Sequence, residues 1–337
     1  MFIIYNKYGD DKVDIAILGA GAYALALAHR LSKNKNNKVI VWSKVEEEIN
    51  DLIKTKTNEK ALPGIIMPSS IEYTNNIEKA LKKAKIVIIG VATKYLRNIC
   101  EEIKPYVKDK HIVIASKGIE QNTNQFASSI VKDTIKTKKL CTISGPSFAK
   151  DMVLDELIGL SIATTNNKTK NIVIKAFSSN ILKLRPTNDF IGVELCGTLK
   201  NIIAIIAGML EGMKVSESTK AMFLTESIND TRHLIKKLKG NEKTIMSYAG
   251  FGDILLTCTS TSSRNYSFGK MIGSNASKKE LDEYLKNNTV EGIYTLQSIY
   301  GLIKGKKIKL PFIDFVYNTI FNPNFNYDII SFLKEKS

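Results

Sequence analysis

The sequence predicts an α/β fold, with an N-terminal doubly wound parallel sheet followed by a mainly α-helical C-terminal domain. Three observations carry this expectation. From Val13 to about Thr165, short β-branched runs alternate with amphipathic stretches. A glycine turn, Gly19-Ala-Gly21, directly follows the first of these runs. After about Asp189 the character becomes helical. Continuous short apolar runs between amphipathic segments belong to strands buried on both faces, and right-handed crossovers follow from that arrangement.

Taken in order, strands are expected at Val13–Leu18, Lys38–Trp42, Lys85–Val91 and His111–Ala115, with Cys141–Ser144 and Leu160–Thr165 extending the sheet. The boundary falls near Pro186–Asp189, giving a dinucleotide-binding domain over 1–188 and a helical domain over 189–337. Ile191–Leu210 is apolar almost all round, interrupted mainly by Glu194, Lys200 and Asn201. Such a helix belongs inside a domain. Further helices are expected at Glu217–Lys239, Ser277–Lys286, Gly292–Lys304 and Phe312–Ile320, while Met1–Lys12 reads as a short extension.

Composition narrows the function classes. A chain of 337 residues suggests two domains at about 150 residues each. Hydrophobic residues make up 44% and charged residues 24%, which excludes disorder or a fibrous repeat as the main state. The clean apolar stretches Ile86–Ala92 and Ile202–Leu210 are far shorter than the ~20 residues that span a bilayer. No signal-peptide pattern opens the chain, so a cytoplasmic protein without an integral membrane segment is expected. The three histidines (His29, His111, His233) lack metal-ligand spacing, and the four cysteines (Cys100, Cys141, Cys196, Cys258) form no C-x-x-C pair. No metal site is expected, and the cysteines read as reduced core thiols. The net charge of +16 is carried by lysines dispersed among asparagines. Without a nucleic-acid-binding signature this reads as a solvated surface, or as suited to a phosphorylated small molecule.

The strongest local signal is Gly19-Ala-Gly21-Ala22-Tyr23-Ala24, which matches G-x-G-x-x-A between a strand and a helix. Gly19 permits the tight turn, Gly21 lets main chain approach a pyrophosphate, and Ala24 keeps helix and strand close. The helix N-terminus offers donors and a positive dipole to the phosphates. This makes the sheet Rossmann-like and implies NAD or NADP. Cofactor choice is read at the end of the second strand, where an acid would bind the ribose of NAD. The strand ends Val41-Trp42-Ser43-Lys44, and no carboxylate appears until Glu46. Ser43 and Lys44 suit a 2′-phosphate, so NADP is expected to be tolerated, although Lys44 reads equally as a solvated lysine at a helix start.

Four further segments stand out. Ser116-Lys117-Gly118 follows a strand, placing Lys117 at the sheet's carboxyl edge, where ligands bind. Ser144-Gly145-Pro146-Ser147-Phe148-Ala149 also follows a strand and opens a helix. Lys200, beside Asn201, lies in the most apolar helix. Lost hydration there lowers its pKa towards a range useful for proton transfer, unless the lysine snorkels or is ion-paired. In Gly250-Phe-Gly-Asp253, the aspartate can hold a buried cation, and Ser263-Arg264-Asn265 suits a phosphate. Spacing alone does not separate this reading from a capped turn with a surface arginine.

Together GAGAYA, LPG, SKGIE, SGPSFAKD, ELCGTLKNIIAIIAGM, GFGDILLTCTSTSSRN and VEGIYT resemble the bacterial-type NAD(P)-dependent glycerol-3-phosphate dehydrogenases, from about Val13 to Pro311. The resemblance implies that Lys200 is the catalytic lysine, that Lys117 contacts cofactor and substrate, and that Asp253 belongs to the same site. It implies substrate contacts at Gly145, Ser147, Asn201, Asp253, Ser263, Arg264 and Asn265. Cofactor contacts are implied at Gly19, Gly21, Ala22, Tyr23, Ala24, Lys44, Ala149, Arg264, Val290 and Glu291.

Some positions depart from the family. Tyr23 replaces a usual tryptophan, Lys44 a usual arginine, and the stretch Ser218–Ser227 carries Glu226 where the family commonly has arginine. The implied reaction is reversible reduction of dihydroxyacetone phosphate to sn-glycerol 3-phosphate for glycerophospholipid synthesis. A small phosphorylated substrate is thus the expected partner, nucleic acid is not, and a homodimer is compatible with the sequence. The competing readings are a related dehydrogenase of another small hydroxy acid, and a non-catalytic nucleotide-binding sensor.

Overall fold

The computed structural model describes residues 12–179, 181–322 and 328–335; most of the expected extension Met1–Lys12 lies outside them. The chain forms two compact units. One comprises the residues up to Ser116 together with Ala127–Phe190, and the other Lys117–Phe126 together with the residues from Ile191 onward.

The first unit is built on an eight-stranded sheet. Its strands are β1 (Val13–Leu18), β2 (Asn37–Trp42), β3 (Glu72–Thr74), β4 (Ile86–Ile89), β5 (His111–Ile114), β6 (Leu140–Ser144), β7 (Ile158–Ala163) and β8 (Leu182–Thr187). They lie in the order β3-β2-β1-β4-β5-β6-β7-β8. Its helices are α1 (Ala22–Ser32), α2 (Glu46–Thr55), α3 (Ile77–Lys82), α4 (Leu96–Ile103), α5 (Ala127–Ile135), α6 (Ala149–Val153) and α7 (Asn167–Phe177). Every residue of β4 and β6 is buried, as expected for strands covered on both faces. β1 pairs with both β2 and β4, so the chain changes direction across the sheet there, which creates the crevice where such sheets bind ligands.

The sheet departs from the expected all-parallel pattern at one place. β7 runs antiparallel to β6, with Ile143 opposite Ile162, and β8 then pairs parallel to β7. Periodicity does not encode strand direction, so the sequence pattern could not report this reversal. β3 and β8 were not expected. β3 has three residues, and β8 is a largely exposed edge strand that contains Pro186, the position where a sheet tolerates proline.

The second unit is helical: α8 (Phe190–Gly212), α9 (Glu217–Lys237), α10 (Asp253–Cys258), α11 (Arg264–Gly273), α12 (Lys278–Asn287), α13 (Glu291–Gly305), α14 (Pro311–Phe321) and α15 (Ile329–Glu335). Lys117–Phe126 joins this unit and not the sheet domain of the 1–188 expectation. Ile119 bridges Phe126, and both pack with the helical core. α8 is 23 residues long and apolar enough to cross a membrane, but 89% of its apolar window is buried inside the protein. Its largely apolar length reflects its position as the unit's central helix.

α8 and α11 meet main chain to main chain. Gly208 and Gly212 of α8 face Gly269 and Gly273 of α11. A Cβ on Gly269 would stand 1.8 Å from the Ile205 carbonyl oxygen, and one on Gly208 2.0 Å from that of Tyr266. Only glycine fits this crossing.

Candidate active site

Within the first unit, the Gly19 turn has the features of a dinucleotide cradle. Gly19 takes φ +118°, and a Cβ there would also press on the Gly90 carbonyl at 3.0 Å. At Gly21 nothing lies within 4 Å of where a Cβ would stand, leaving room for a pyrophosphate against the main chain. Gly21 is the N-cap of α1 and provides no side-chain cap, so the first-turn N–H groups are available to an anion. Ala24 is fully buried and packs close to Gly90, where a Cβ would come within 2.9 Å of that of Ala24. These residues fit NAD(P), with Ala22 and Tyr23 forming the first turn of α1.

The Gly145–Ala149 turn lies beside this cradle. The Tyr23 hydroxyl and Ser147 Oγ are hydrogen-bonded at 3.1 Å, and Ser147 Oγ donates to the Gly145 carbonyl at 3.0 Å. Gly145 has no space for a side chain, because a Cβ would stand 2.5 Å from the Gly159 carbonyl oxygen across the antiparallel pair. Ala149 opens α6. Lys44 is exposed just beyond β2, while Ser43 is buried.

In the second unit three charged side chains converge. Asp253 opens α10 after a π-helical turn over Tyr248–Gly252, and a carboxylate in the first turn of a helix is favoured by the dipole. Its side chain is 1% exposed. Lys200 Nζ donates to Asp253 Oδ1 at 2.6 Å, and Lys117 Nζ donates to Oδ2 at 2.9 Å. Lys200 also donates to Thr257 Oγ1 at 3.1 Å, whose own proton goes to the Asp253 carbonyl oxygen at 2.6 Å.

Electrostatics follow from this packing. Burial pushes the Lys200 ammonium down, Asp253 restores part of the loss, and neighbouring Lys117 lowers it again, leaving a pKa of about 8. Burial alone would raise the Asp253 carboxyl, but the ammonium groups of Lys117 and Lys200 outweigh it and hold it below its ordinary value. The cluster therefore pairs a carboxylate held in its ionised form with a buried lysine whose pKa is drawn down towards neutrality.

Arg264 is exposed at the first position of α11. Ser263 caps that helix, accepting from the Tyr266 N–H at 3.3 Å. Asn265 is buried, and its carboxamide bridges two neighbouring elements. Its Nδ2 donates to Asn201 Oδ1 at 3.1 Å, and its Oδ1 accepts from the Gly292 N–H at 2.8 Å. Asn201 in turn donates to Glu291 Oε2 at 3.3 Å. This network ties α8, α11 and α13 together, with Val290 as the buried N-cap residue of α13.

Sequence reasoning missed several participants. Thr257 was findable, since it lies one turn after Asp253, where side chains of one helix face meet. Gly90 was signalled by a glycine directly ending an apolar run. Gly292 lies within VEGIYT, but nothing local shows that its N–H serves Asn265.

Comparison with known proteins agrees with this geometry. Residues 14–170 match the family described as NAD-dependent glycerol-3-phosphate dehydrogenase N-terminus, and residues 189–330 match the corresponding C-terminus. A Listeria innocua protein named glycerol-3-phosphate dehydrogenase (NAD(P)+) is 33% identical over 313 residues, covering 91% of each chain. The chain belongs to the glycerol-3-phosphate dehydrogenase family. It is an NAD(P)-dependent oxidoreductase. A Clostridium tetani relative of the same name is 33% identical over 308 residues, covering 91% of this chain and 88% of its own. Among solved structures, a glycerol-3-phosphate dehydrogenase from Coxiella burnetii superposes with a TM-score of 0.88 at 26% identity, covering 96% of this chain and 98% of its own. One from Plasmodium falciparum gives 0.84 at 25% identity, covering 96% and 95%.

Proposed function

We propose that this dehydrogenase catalyses the reversible reduction of dihydroxyacetone phosphate to sn-glycerol 3-phosphate, for glycerophospholipid synthesis, with Lys200 as the proton donor and acceptor. The observation that carries the reading is the Lys200–Asp253–Lys117 cluster, in which a buried lysine is held by a carboxylate and has its pKa drawn to about 8.

When bound, NAD(P) would supply hydride chemistry at the substrate carbon, held by the Gly19–Ala24 turn. In the reduction Lys200 protonates the oxygen that gains charge, and in the oxidation it removes that proton. Asp253 fixes the ammonium in place and stays ionised throughout. Lys117 adds a second positive charge beside the same carboxylate, and such preorganised charge is effective where an oxyanion develops. Arg264, with Asn265 beside it, receives the phosphate, the guanidinium offering a fork of donors. Binding the phosphate away from the reacting carbon contributes orientation. The proposal includes a cytoplasmic location and action without nucleic acid, and it is compatible with a homodimer.

The test is loss of reduced-nicotinamide absorbance on adding dihydroxyacetone phosphate to the purified protein. Turnover that requires the phosphate supports the reading. Cofactor binding without turnover of this or any small hydroxy acid would leave a nucleotide sensor in its place.

A further inference from the structure

We propose that Glu48 sets the cofactor preference, favouring NADH over NADPH, because its carboxylate stands where a 2′-phosphate would have to be received. The inference rests on the nicotinamide dependence of the family and not on the substrate proposed above.

In sheets of this kind the adenosine ribose lies against the end of the second strand. That strand end is tied to the glycine turn here, since the Gly19 N–H donates to the Trp42 carbonyl at 2.7 Å. Ser43 comes next. It is 5% exposed, and its N–H donates to the Thr74 carbonyl at 3.4 Å. A serine that receives a phosphate must turn its hydroxyl proton towards it. The Ser43 proton is instead committed to Glu48 Oε2 at 2.7 Å, while Ser43 Oγ accepts from the Val45 N–H at 3.2 Å.

Glu48 is the third residue of α2, after Glu46 and Glu47. The entry into the helix therefore brings the Glu48 carboxylate to the strand end that sequence order alone fills with Ser43 and Lys44. A carboxylate there can accept from a ribose hydroxyl, whereas a doubly charged phosphate at the same distance is repelled. Lys44 is exposed, so solvent and salt screen its charge, and it softens the preference without reversing it. Both cofactors are accepted, and they are accepted unequally.

The test titrates NADH and NADPH into wild type, Glu48→Gln and Ser43→Ala, following energy transfer from Trp42, the one tryptophan of the chain, to bound reduced nicotinamide. Wild type should bind NADH at least tenfold more tightly. Glu48→Gln should narrow that ratio by about tenfold, mainly by tightening NADPH, which corresponds to about 1.4 kcal/mol. Ser43→Ala keeps the carboxylate and should move the ratio less. Wild type binding NADPH as tightly as NADH, a ratio unmoved by Glu48→Gln, or a larger effect from Ser43→Ala would each overturn the assignment. No substrate is present in the titration, so failure to reduce dihydroxyacetone phosphate and failure of this inference are separate results.

Discussion

Lys117 and Lys200 grip opposite oxygens of one buried carboxylate, at 2.9 Å and 2.6 Å on Asp253. Two cations sharing one anion leave a net positive charge in a place with little water. Burial, with Lys117 as a like-charged neighbour, loosens the hold of Lys200 on its proton.

Lys200→Ala should therefore abolish most turnover while leaving cofactor affinity nearly intact. A general acid contributes ~10²–10⁴-fold in rate, so kcat should fall within that range. Steady-state kinetics together with NADH titration checks it, and near-wild-type kcat would remove Lys200 from the proton transfer.

The pH profile should be governed by the same group. Lys200 must be protonated to reduce the ketone and neutral to oxidise the alcohol. With its pKa at about 8, kcat/KM for reduction should decline above pH 8, while that for oxidation should rise through pH 8 and level off. Asp253 raises the Lys200 pKa, so Asp253→Asn should shift both limbs towards lower pH as well as slow turnover. Limbs that stay in place in Asp253→Asn would show that another group titrates.

Arg264→Lys should cost about tenfold or more in kcat/KM for dihydroxyacetone phosphate. A hydrogen bond to a charged group contributes roughly 1.5–3 kcal/mol, tenfold in rate corresponds to about 1.36 kcal/mol, and lysine cannot reproduce the guanidinium fork. The loss should shrink sharply for unphosphorylated dihydroxyacetone. An equal proportional loss on both substrates would place Arg264 in the service of cofactor or fold.

Glycine substitutions should separate according to what a new methyl group meets. In Gly292→Ala the Cβ would lie 2.8 Å from the Asn201 carbonyl oxygen and from Asn265 Oδ1, and overpacking of this kind typically costs ~1–3 kcal/mol. Gly269→Ala drives its Cβ against rigid main chain and should cost at least as much. Gly305, the last residue of α13, has nothing within 4 Å, and Gly305→Ala should be neutral or gain up to about 1 kcal/mol. Urea unfolding midpoints of the three variants test the order.

The sheet was legible wherever strands are buried on both faces. Val13–Leu18 was read to the residue, because six consecutive apolar or shielded positions end in a glycine turn. β8 was not legible, since its exposed alternation and Pro186 look like a linker. Lys200 stood out as a charge in an apolar helix. Its relation to Asp253, 53 positions away, came from family resemblance, as no local pattern spans such a separation. The Ser43–Glu48 contact escaped for the opposite reason: the two residues are close in sequence, but only the entry into α2 turns the carboxylate back onto the strand end. Asn265 was readable only as a residue type beside an arginine; its bonds to Asn201 and Gly292 join residues 64 and 27 positions apart, which no local pattern reports.

The glycine crossing of α8 and α11 acts as a ruler. Lys200 is carried by one helix and Arg264 begins the other, and the spacing of these helices is set by main-chain atoms that have no rotamers to adjust. If Lys200 and Arg264 play the parts proposed above, the distance between their helices is thereby calibrated by backbone thickness. Substrates with one carbon more between carbonyl and phosphate would have to fit a gauge that side-chain variation on either helix cannot lengthen.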